Sequence, residues 1–192
     1  MSLKIVFMGT PEFSIPTLKI LQKSKHKIVC VYTQQPKKKL RGQKLLKTAV
    51  HIFSENEGIN VKTNQLSDKK EYEDFISLNA DLVVVIAYGQ IIPDIYLNNP
   101  NLIFLNVHAS LLPKWRGAAP IERALLNKEN ETGISIMKII KKLDAGPFIK
   151  QVKVKIHKET TSGELTKKLS VLGAEALKDS IELISSGKAI FK

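Results

Sequence analysis

The residues from Leu82 to Ala87 form an uninterrupted apolar run near the middle of the chain. Strands that expose one face to water alternate apolar and polar residues, whereas a central strand of a parallel sheet is covered on both faces and reads as continuously apolar. The run therefore predicts a central parallel strand. A sheet that contains such a strand needs helices packed against both of its faces.

Apolar runs and amphipathic stretches alternate along the rest of the chain, which is typical of an α/β fold. We predict a Rossmann-like, open and mostly parallel sheet of about seven strands with helices on both faces. Thr10 can cap the first helix, and Pro11 suits its first position. The predicted strands cover residues 3–8, 28–33, 60–62, 82–87, 102–107, 133–139 and 148–154, and the predicted helices cover 11–24, 44–57, 69–78, 118–127 and 161–186, with a short turn around 93–98.

The length of 192 residues and the lack of a linker or repeat predict one domain over residues 1–192. No apolar run approaches the roughly 20 residues that span a bilayer, and the first strand begins without a secretory signal. We therefore expect a cytoplasmic protein that acts as a monomer away from membranes. Cys30 is the only cysteine and reads as a core residue. The histidines lack metal-ligand spacing, so no metal is predicted.

The formal net charge is +12, which favours a polyanionic partner. Only three of the 30 basic residues are arginine, which leaves 27 lysines, so a local cluster is more informative than the total. The segment from Lys37 to Lys47 has six basic residues and no acidic one. The segment is either a solvated lysine loop or a nucleic-acid contact. Its basic residues are Lys37, Lys38, Lys39, Arg41, Lys44 and Lys47.

Asn106 and His108 lie two residues apart at the end of the apolar run that begins at Leu102. Side chains at i and i+2 of a strand project from the same face, so the amide and the imidazole point together. An isolated pair of this kind usually just closes a strand with two satisfied polar groups. Open α/β sheets, however, bind ligands beyond the carboxyl ends of their strands. The loops that begin at Gly9 and Tyr88 also follow strand ends, so we expect the three to line one crevice.

Two common ligand classes are disfavoured by the first of these loops. A dinucleotide fingerprint needs G-x-G-x-x-G, but the segment from Gly9 to Phe13 offers one glycine, and no Walker P-loop is present. The turn Asp144-Ala145-Gly146-Pro147 is unremarkable by itself. Beside His108, however, the Asp144 carboxylate would orient the imidazole for proton transfer.

Four segments together resemble the methionyl-tRNA formyltransferase family, and the resemblance runs in order along essentially the whole chain. It implies the formyltransferase fold and transfer of a formyl group from 10-formyltetrahydrofolate to the α-amino group of methionine on initiator methionyl-tRNA. It also implies a C-terminal β-barrel domain for tRNA binding that these residues do not include, so we expect the chain to formylate Met-tRNA poorly by itself. The segments are Gly9 to Phe13, Ala87 to Pro93, Asn106 to Pro120 and Leu143 to Gly146.

The resemblance also assigns roles to residues. Asn106, His108 and Asp144 fall on catalytic positions. This agrees with their chemistry, because an amide and a protonated imidazole can stabilise an oxyanion and supply a proton without a covalent intermediate. Folate contacts are expected from Tyr88, Gly89, Ile91, Ile92, Pro93, Ser110, Leu111, Leu112 and Pro113, and tRNA contacts from Lys37, Lys38, Lys39, Arg41 and Lys44.

Other functions remain open on the sequence. An N-formyltransferase for amino-sugar nucleotides would share the fold and the catalytic residues, and so would a 10-formyltetrahydrofolate hydrolase. Glycinamide ribonucleotide formyltransferase is disfavoured, because its phosphorylated amine predicts a glycine-rich first loop. The alternative that is not an enzyme is a folate- or RNA-binding module. Such a module would give no chemical role to Asn106, His108 and Asp144.

Overall fold

A computed structural model describes residues 1–39 and 44–192. A 3-10 turn at Glu12–Ser14 precedes the first helix. The strands among these residues are β1 (Lys4–Gly9), β2 (Lys27–Tyr32), β3 (Lys37–Lys39), β4 (Lys44–Leu46), β5 (Val61–Lys62), β6 (Leu82–Ile86), β7 (Ile103–His108), β8 (Glu131–Lys138) and β9 (Phe148–Lys155). The helices are α1 (Ile15–Gln22), α2 (Ala49–Asn56), α3 (Lys69–Ser77), α4 (Asp94–Leu97), α5 (Pro120–Leu126) and α6 (Ser162–Ser185).

Seven strands form one sheet in the order β5-β2-β1-β6-β7-β8-β9. The strands from β5 to β7 in this order are parallel, whereas β8 and β9 pair antiparallel. Strand β6 lies between β1 and β7, and all five of its residues are buried. This confirms the prediction from the apolar run and the predicted mostly parallel sheet.

Two cores form on opposite faces of the sheet because successive side chains of a strand point to opposite sides. On β6, Val84 belongs to the core that also contains residues of α1, α5 and α6. Its neighbour Val85 belongs to the second core, which contains Phe75 of α3 and Tyr96 of α4. Helices therefore cover both faces, as the sequence predicted.

Helix α6 packs against β7, the strand that carries Asn106 and His108. Thr161 and Glu164 form a capping box at its N-terminus. Further along, a Cβ at Gly173 would lie 2.8 Å from Cγ1 of Val107. The helix can therefore pack this close to β7 because position 173 has no side chain.

Two of the predicted helix starts were wrong. Thr10 does not cap a helix: Pro11 is the N-cap of the 3-10 turn, and Oγ1 of Thr10 donates a hydrogen bond to the Tyr88 carbonyl oxygen at 2.7 Å, which joins two loops. Helix α1 begins only at Ile15. The helix predicted from residue 44 begins at Ala49, where Thr48 accepts a hydrogen bond from the His51 backbone N–H. Residues 44–46 instead pair with β3 in a separate antiparallel hairpin.

None of the helices in residues 1–39 and 44–192 combines the length and the apolar character needed to cross a membrane.

Candidate active site

A cavity of about 920 Å³ opens at the carboxyl ends of β6 and β7. Its size is within the range of small-molecule sites, and its position is where open α/β sheets bind ligands. The loops that follow β1, β6 and β7 all contribute to its wall, as predicted. The residues lining it include Phe13, Ala87 to Ile92, Asn106 to Ala109, Gly117 to Glu122, Ile139 to Lys141, Leu143 and Asp144.

Asp144 meets Asn106 and His108 in this cavity, so the structure brings the three predicted residues together. Asn106 donates a hydrogen bond from Nδ2 to Oδ1 of Asp144 at 3.3 Å. The backbone N–H of Gly117 donates to Oδ2 of the same carboxylate at 2.8 Å. An amide nitrogen has two hydrogens, so Asn106 keeps one donor for a ligand while the other holds Asp144.

The His108 ring is held by a backbone oxygen rather than by Asp144. Its Nε2 lies 3.0 Å from the carbonyl oxygen of Trp115, and because a carbonyl only accepts, Nε2 must carry the hydrogen. Its Nδ1 lies 3.6 Å from Oδ2 of Asp144, which is beyond a hydrogen bond. The chemically free nitrogen is therefore Nδ1. The carbonyl of Trp115, rather than Asp144, sets the ring orientation.

The loop that supplies this carbonyl has an unusual backbone. Trp115, Gly117 and Ala119 have positive φ angles of 59°, 85° and 52°, a conformation that non-glycine residues adopt rarely and at an energetic cost. Arg123 stabilises the loop, since its guanidinium lies 5.0 Å from the centre of the Trp115 ring and donates a hydrogen bond to the Arg116 carbonyl. A short helix, α5, thus braces the segment that orients His108.

Ser110, Leu111, Leu112 and Pro113 were expected to contact folate, but they are absent from the cavity lining. The side chain of Ser110 is buried and donates a hydrogen bond to the Lys114 carbonyl. These four residues lie over β8 and β9 and carry the chain from His108 to Trp115. The segment positions the loop after β7, because hydrogen bonds connect its backbone to side chains of β8 and β9.

Ser135 of β8 holds this segment by hydrogen bonds. No feature of the sequence predicted this role. Its buried hydroxyl donates to the Ser110 carbonyl at 2.7 Å and accepts from the Leu112 backbone N–H at 3.1 Å. Gln151 of β9 donates to the same hydroxyl and to the Leu112 carbonyl. One serine thus joins the loop after β7 to the two antiparallel strands.

We expect Ser135→Ala to lower the free energy of unfolding by about 1–3 kcal/mol, because it leaves buried partners unsatisfied. Ser54→Ala is the matched control, since the Ser54 hydroxyl is buried and has no hydrogen-bond partner among the described residues. Urea unfolding of both variants checks the prediction. Similar losses in both would show that the Ser135 network contributes nothing specific.

The loop from Ala87 to Pro93 forms the wall opposite Asp144. Tyr88, Gly89, Ile91 and Ile92 line the cavity, whereas Pro93 borders a second depression of about 400 Å³ on the other side of the loop. Ala87 and Gly89 have positive φ angles, which turn the chain sharply after β6. Ile91 is 92% exposed at the mouth, so it presents an apolar side chain to a ligand.

The basic segment lies beside this wall. Lys37, Gln34 and Gln35 line the second depression together with Gly89 and Ile91. Lys38, Lys39 and Lys44 belong to the hairpin formed by β3 and β4. Arg41, which was also expected to contact tRNA, lies outside the described residues. Gly89, Gln90 and Ile91 thus border both the main cavity and the depression that Lys37 lines.

Cys30 belongs to the second core, as predicted, and is fully buried. Burial raises the pKa of its thiol to about 12, so the group stays protonated and unreactive at neutral pH. Over residues 1–39 and 44–192, no three His, Cys, Asp or Glu side chains are grouped so that they could hold a metal ion.

The chain is similar in sequence to a known protein family and to several of its members. The family described as formyl transferase matches residues 3–181. The methionyl-tRNA formyltransferase of Pelagibacter ubique (strain HTCC1062) is 49% identical over 194 residues, covering 100% of this chain and 63% of that protein. The enzyme of the same name from Coxiella burnetii (strain CbuK_Q154) is 46% identical over 188 residues, covering 97% and 60%.

The chain therefore spans less than two thirds of the length of either relative. Among solved structures, a phosphoribosylglycinamide formyltransferase from Anaplasma phagocytophilum superimposes with a TM-score of 0.78 at 20% identity, covering 98% of this chain and 89% of that one. At this identity the likeness concerns the fold. The match over residues 3–181, the shared fold and the cavity at the ends of β6 and β7 lead to one conclusion, that the chain belongs to the formyl transferase family.

Proposed function

We propose that this chain is a catalytic domain that transfers the formyl group of 10-formyltetrahydrofolate to the α-amino group of methionine on initiator tRNA. The observation that carries the proposal is the meeting of Asn106, His108 and Asp144 in one cavity. The relatives named methionyl-tRNA formyltransferase support it, since they are 46–49% identical over nearly the whole chain.

The reaction needs an acceptor amine whose nitrogen is neutral. The nitrogen attacks the formyl carbon, a new C–N bond forms, and the carbonyl oxygen becomes an oxyanion. Collapse of this intermediate breaks the bond to N10 of the donor, which leaves as tetrahydrofolate with a proton. The protein must therefore stabilise one negative charge and move one proton.

Asn106 and His108 can meet these two needs. The Asn106 hydrogen that does not bind Asp144 is available to the oxyanion, and a proton on Nδ1 of His108 can be donated to the oxyanion or to N10. Asp144 accepts the hydrogen bond that holds the Asn106 amide, and its Oδ2 lies 3.6 Å from Nδ1 of His108. The backbone N–H of Gly117 and the carbonyl of Trp115 fix these groups before the substrates arrive.

The cavity wall suits a flat aromatic donor. Ile91 and Ile92 on one side, and Ile140 on the other, offer apolar surface, and ligand pockets of this kind combine such surface with few polar groups. Pro93, behind the loop, supports the same wall. Ser110 to Pro113 act through the backbone by positioning the loop that ends at Trp115.

The identity of the acceptor is tested by offering the chain different amines in separate reactions. The chain is offered 10-formyltetrahydrofolate with Met-tRNA, with an amino-sugar nucleotide, with glycinamide ribonucleotide or with no acceptor, and release of tetrahydrofolate is followed under single-turnover conditions. We expect formylated Met-tRNA as the product. Formylation of the sugar or of glycinamide ribonucleotide, or equal release without an acceptor, would contradict the proposal.

The basic residues of the segment from Lys37 to Lys47 supply the proposed contact with tRNA. We expect the combined replacement of Lys37, Lys38, Lys39 and Arg41 by alanine to weaken tRNA binding and to reduce the slope of log K against log salt by about 1 for each phosphate that is no longer neutralised. Binding measured at several salt concentrations checks the slope. The Lys44→Ala change can be added to test the second arm of the hairpin.

Donor binding is the internal control for this variant. The hairpin lies across the loop at 89–93 from the main cavity, so the affinity for tetrahydrofolate should stay unchanged. An equal loss of folate and tRNA binding would mean that the lysines support the fold of the loop rather than contact RNA.

A further inference from the structure

Two consecutive carbonyl oxygens of the loop at 87–93 accept hydrogen bonds from side chains of other loops. Oγ1 of Thr10 donates to the Tyr88 oxygen at 2.7 Å, and Nε2 of Gln34 donates to the Gly89 oxygen at 3.0 Å. Thr10 follows β1 and Gln34 follows β2, the two strands that lie in order beside β6. The loop after β6 is therefore tied to both of these strand ends.

The Gln34 amide lies so close to Gly89 that it leaves no room for a side chain at position 89. A Cβ there would lie 2.1 Å from Nε2 of Gln34, and the φ angle of 78° also favours glycine. Gly89 and Ile91 line both the main cavity and the second depression, whereas Gln34 lines only the second depression. Gln34 thus contacts the cavity wall from its rear side.

Residues 89–92 make few contacts that could hold their main chain. Tyr88 belongs to the second core and Ile92 packs against it, whereas Gly89 and Ile91 between them are exposed. Among the described residues, the hydrogen bond from Gln34 is the one that residues 89–92 receive. The Gln34 amide is therefore the contact that fixes the main chain between the two side chains in the core, in a segment of low contact density that could otherwise open locally.

Gln34 projects from a rigid position. The preceding residue, Thr33, is fully buried, and its backbone N–H donates a hydrogen bond to the carbonyl of Lys62 in β5 at 3.1 Å. The hydroxyl groups of Thr33 and Thr48 are hydrogen-bonded at 2.6 Å, and Thr48 also caps α2. The Gln34 amide can restrain the loop because its own main chain is held in the sheet.

The path of the main chain decides what this wall offers to a ligand. The loop from Ala87 to Pro93 has two polar side chains, those of Tyr88 and Gln90, and Tyr88 belongs to the second core. The other polar groups of the loop are backbone N–H and carbonyl groups. If the Gly89 carbonyl is released, only a fraction of the molecules presents the wall in the binding conformation, and the apparent affinity falls by that fraction.

We propose that Gln34 is a positioning residue for the folate donor: its amide keeps residues 89–92 in the conformation that binds the donor. This inference rests on the proposed function, because it requires that the donor occupies the main cavity. Gln34 acts through the loop without touching the donor. Loss of the amide therefore weakens donor binding and leaves the chemical step at Asn106 and His108 unchanged.

The test separates donor binding from chemistry. Gln34→Met keeps the length of the side chain but has no hydrogen-bond donor, and Gln34→Glu places an acceptor against the Gly89 carbonyl. The affinity for tetrahydrofolate is measured by calorimetry, and formyl transfer is measured in single turnovers at limiting and at saturating 10-formyltetrahydrofolate. We expect both variants to bind tetrahydrofolate about two- to tenfold more weakly, the range for one hydrogen bond. The stoichiometry of binding and the rate at saturating donor should stay unchanged.

Gln35→Met is the matched control, since Gln35 follows Gln34 and lines the same depression; it should bind tetrahydrofolate like the unmodified chain. Equal weakening by Gln35→Met would overturn the inference, because the effect would then belong to the depression as a whole. An unchanged affinity of Gln34→Met, or a lower rate at saturating donor, would overturn it as well. If the unmodified chain did not bind tetrahydrofolate, the proposed function itself would fail, so the two failures are distinguishable.

Discussion

Replacement of His108 by alanine is expected to lower the rate of formyl transfer by about 10²–10⁴, the usual contribution of a positioned acid or base. The variant loses the only imidazole in the described part of the cavity lining, and with it the ring nitrogen Nδ1 that we propose as the proton donor. The decrease should lie in the chemical step. Single-turnover rates at saturating donor and acceptor are the appropriate measurement.

Two controls separate this loss from misfolding. His157 is exposed and distant in sequence from the site, so His157→Ala should keep the full rate. Tetrahydrofolate should also bind the His108→Ala variant with nearly normal affinity, because the apolar walls remain. If His108→Ala formylated at the normal rate, the assignment of the proton transfer to this residue would be wrong.

Gly146→Ala is expected to disrupt the site from outside the catalytic residues. A Cβ at this position would lie 1.9 Å from the carbonyl oxygen of Lys138, and because this neighbour is backbone, the turn must move instead. Overpacking of this kind costs about 1–3 kcal/mol of stability. The movement displaces Asp144, two residues earlier, and a shift of about 1 Å can lower the rate 10²-fold.

The matched control is Gly163→Ala. A Cβ at Gly163 would meet no atom within 4 Å, and the residue lies in the first turn of α6. Alanine is favoured over glycine in helices by about 0.8–1 kcal/mol, so this variant should be as stable as the original or more so, with an unchanged rate. Thermal unfolding and the transfer assay, applied to both variants, distinguish a steric effect at Gly146 from a general effect of removing a glycine. Equal behaviour of the two would contradict the steric explanation.

The sequence predicted most of the sheet because apolar runs report burial directly. The run from Leu82 to Ala87 marked β6, and alternate residues of β1 and β6 enter the two cores as the strand period requires. The hairpin of β3 and β4 was not predicted, because β3 consists of three consecutive lysines and therefore shows no apolar pattern. The start of α1 was misplaced because residues 12–14 form a 3-10 turn, and Thr10 bonds instead to Tyr88, in a loop 78 residues away along the chain.

The candidate site was predictable where side chains carry the chemistry. Asn106 and His108 share a strand face by their spacing, and the resemblance linked Asp144 to them. The orientation of His108 was not predictable, since its partner is the Trp115 carbonyl, which every residue type possesses. A lone serine in β8 gives no warning of the Ser135 network.

The anchor of the His108 ring has a consequence for how this site tolerates change. Every residue type at position 115 has a main-chain carbonyl. The orientation of the His108 imidazole therefore depends on the path of the backbone and not on contact with the Trp115 indole. Variation at this position is limited by the φ angle of 59°, which glycine and asparagine adopt readily. A substitution of Trp115 therefore keeps the carbonyl that orients the imidazole but removes the stacking of Arg123 on the indole, which leaves the hydrogen bond from Arg123 to the Arg116 carbonyl as the brace of the loop.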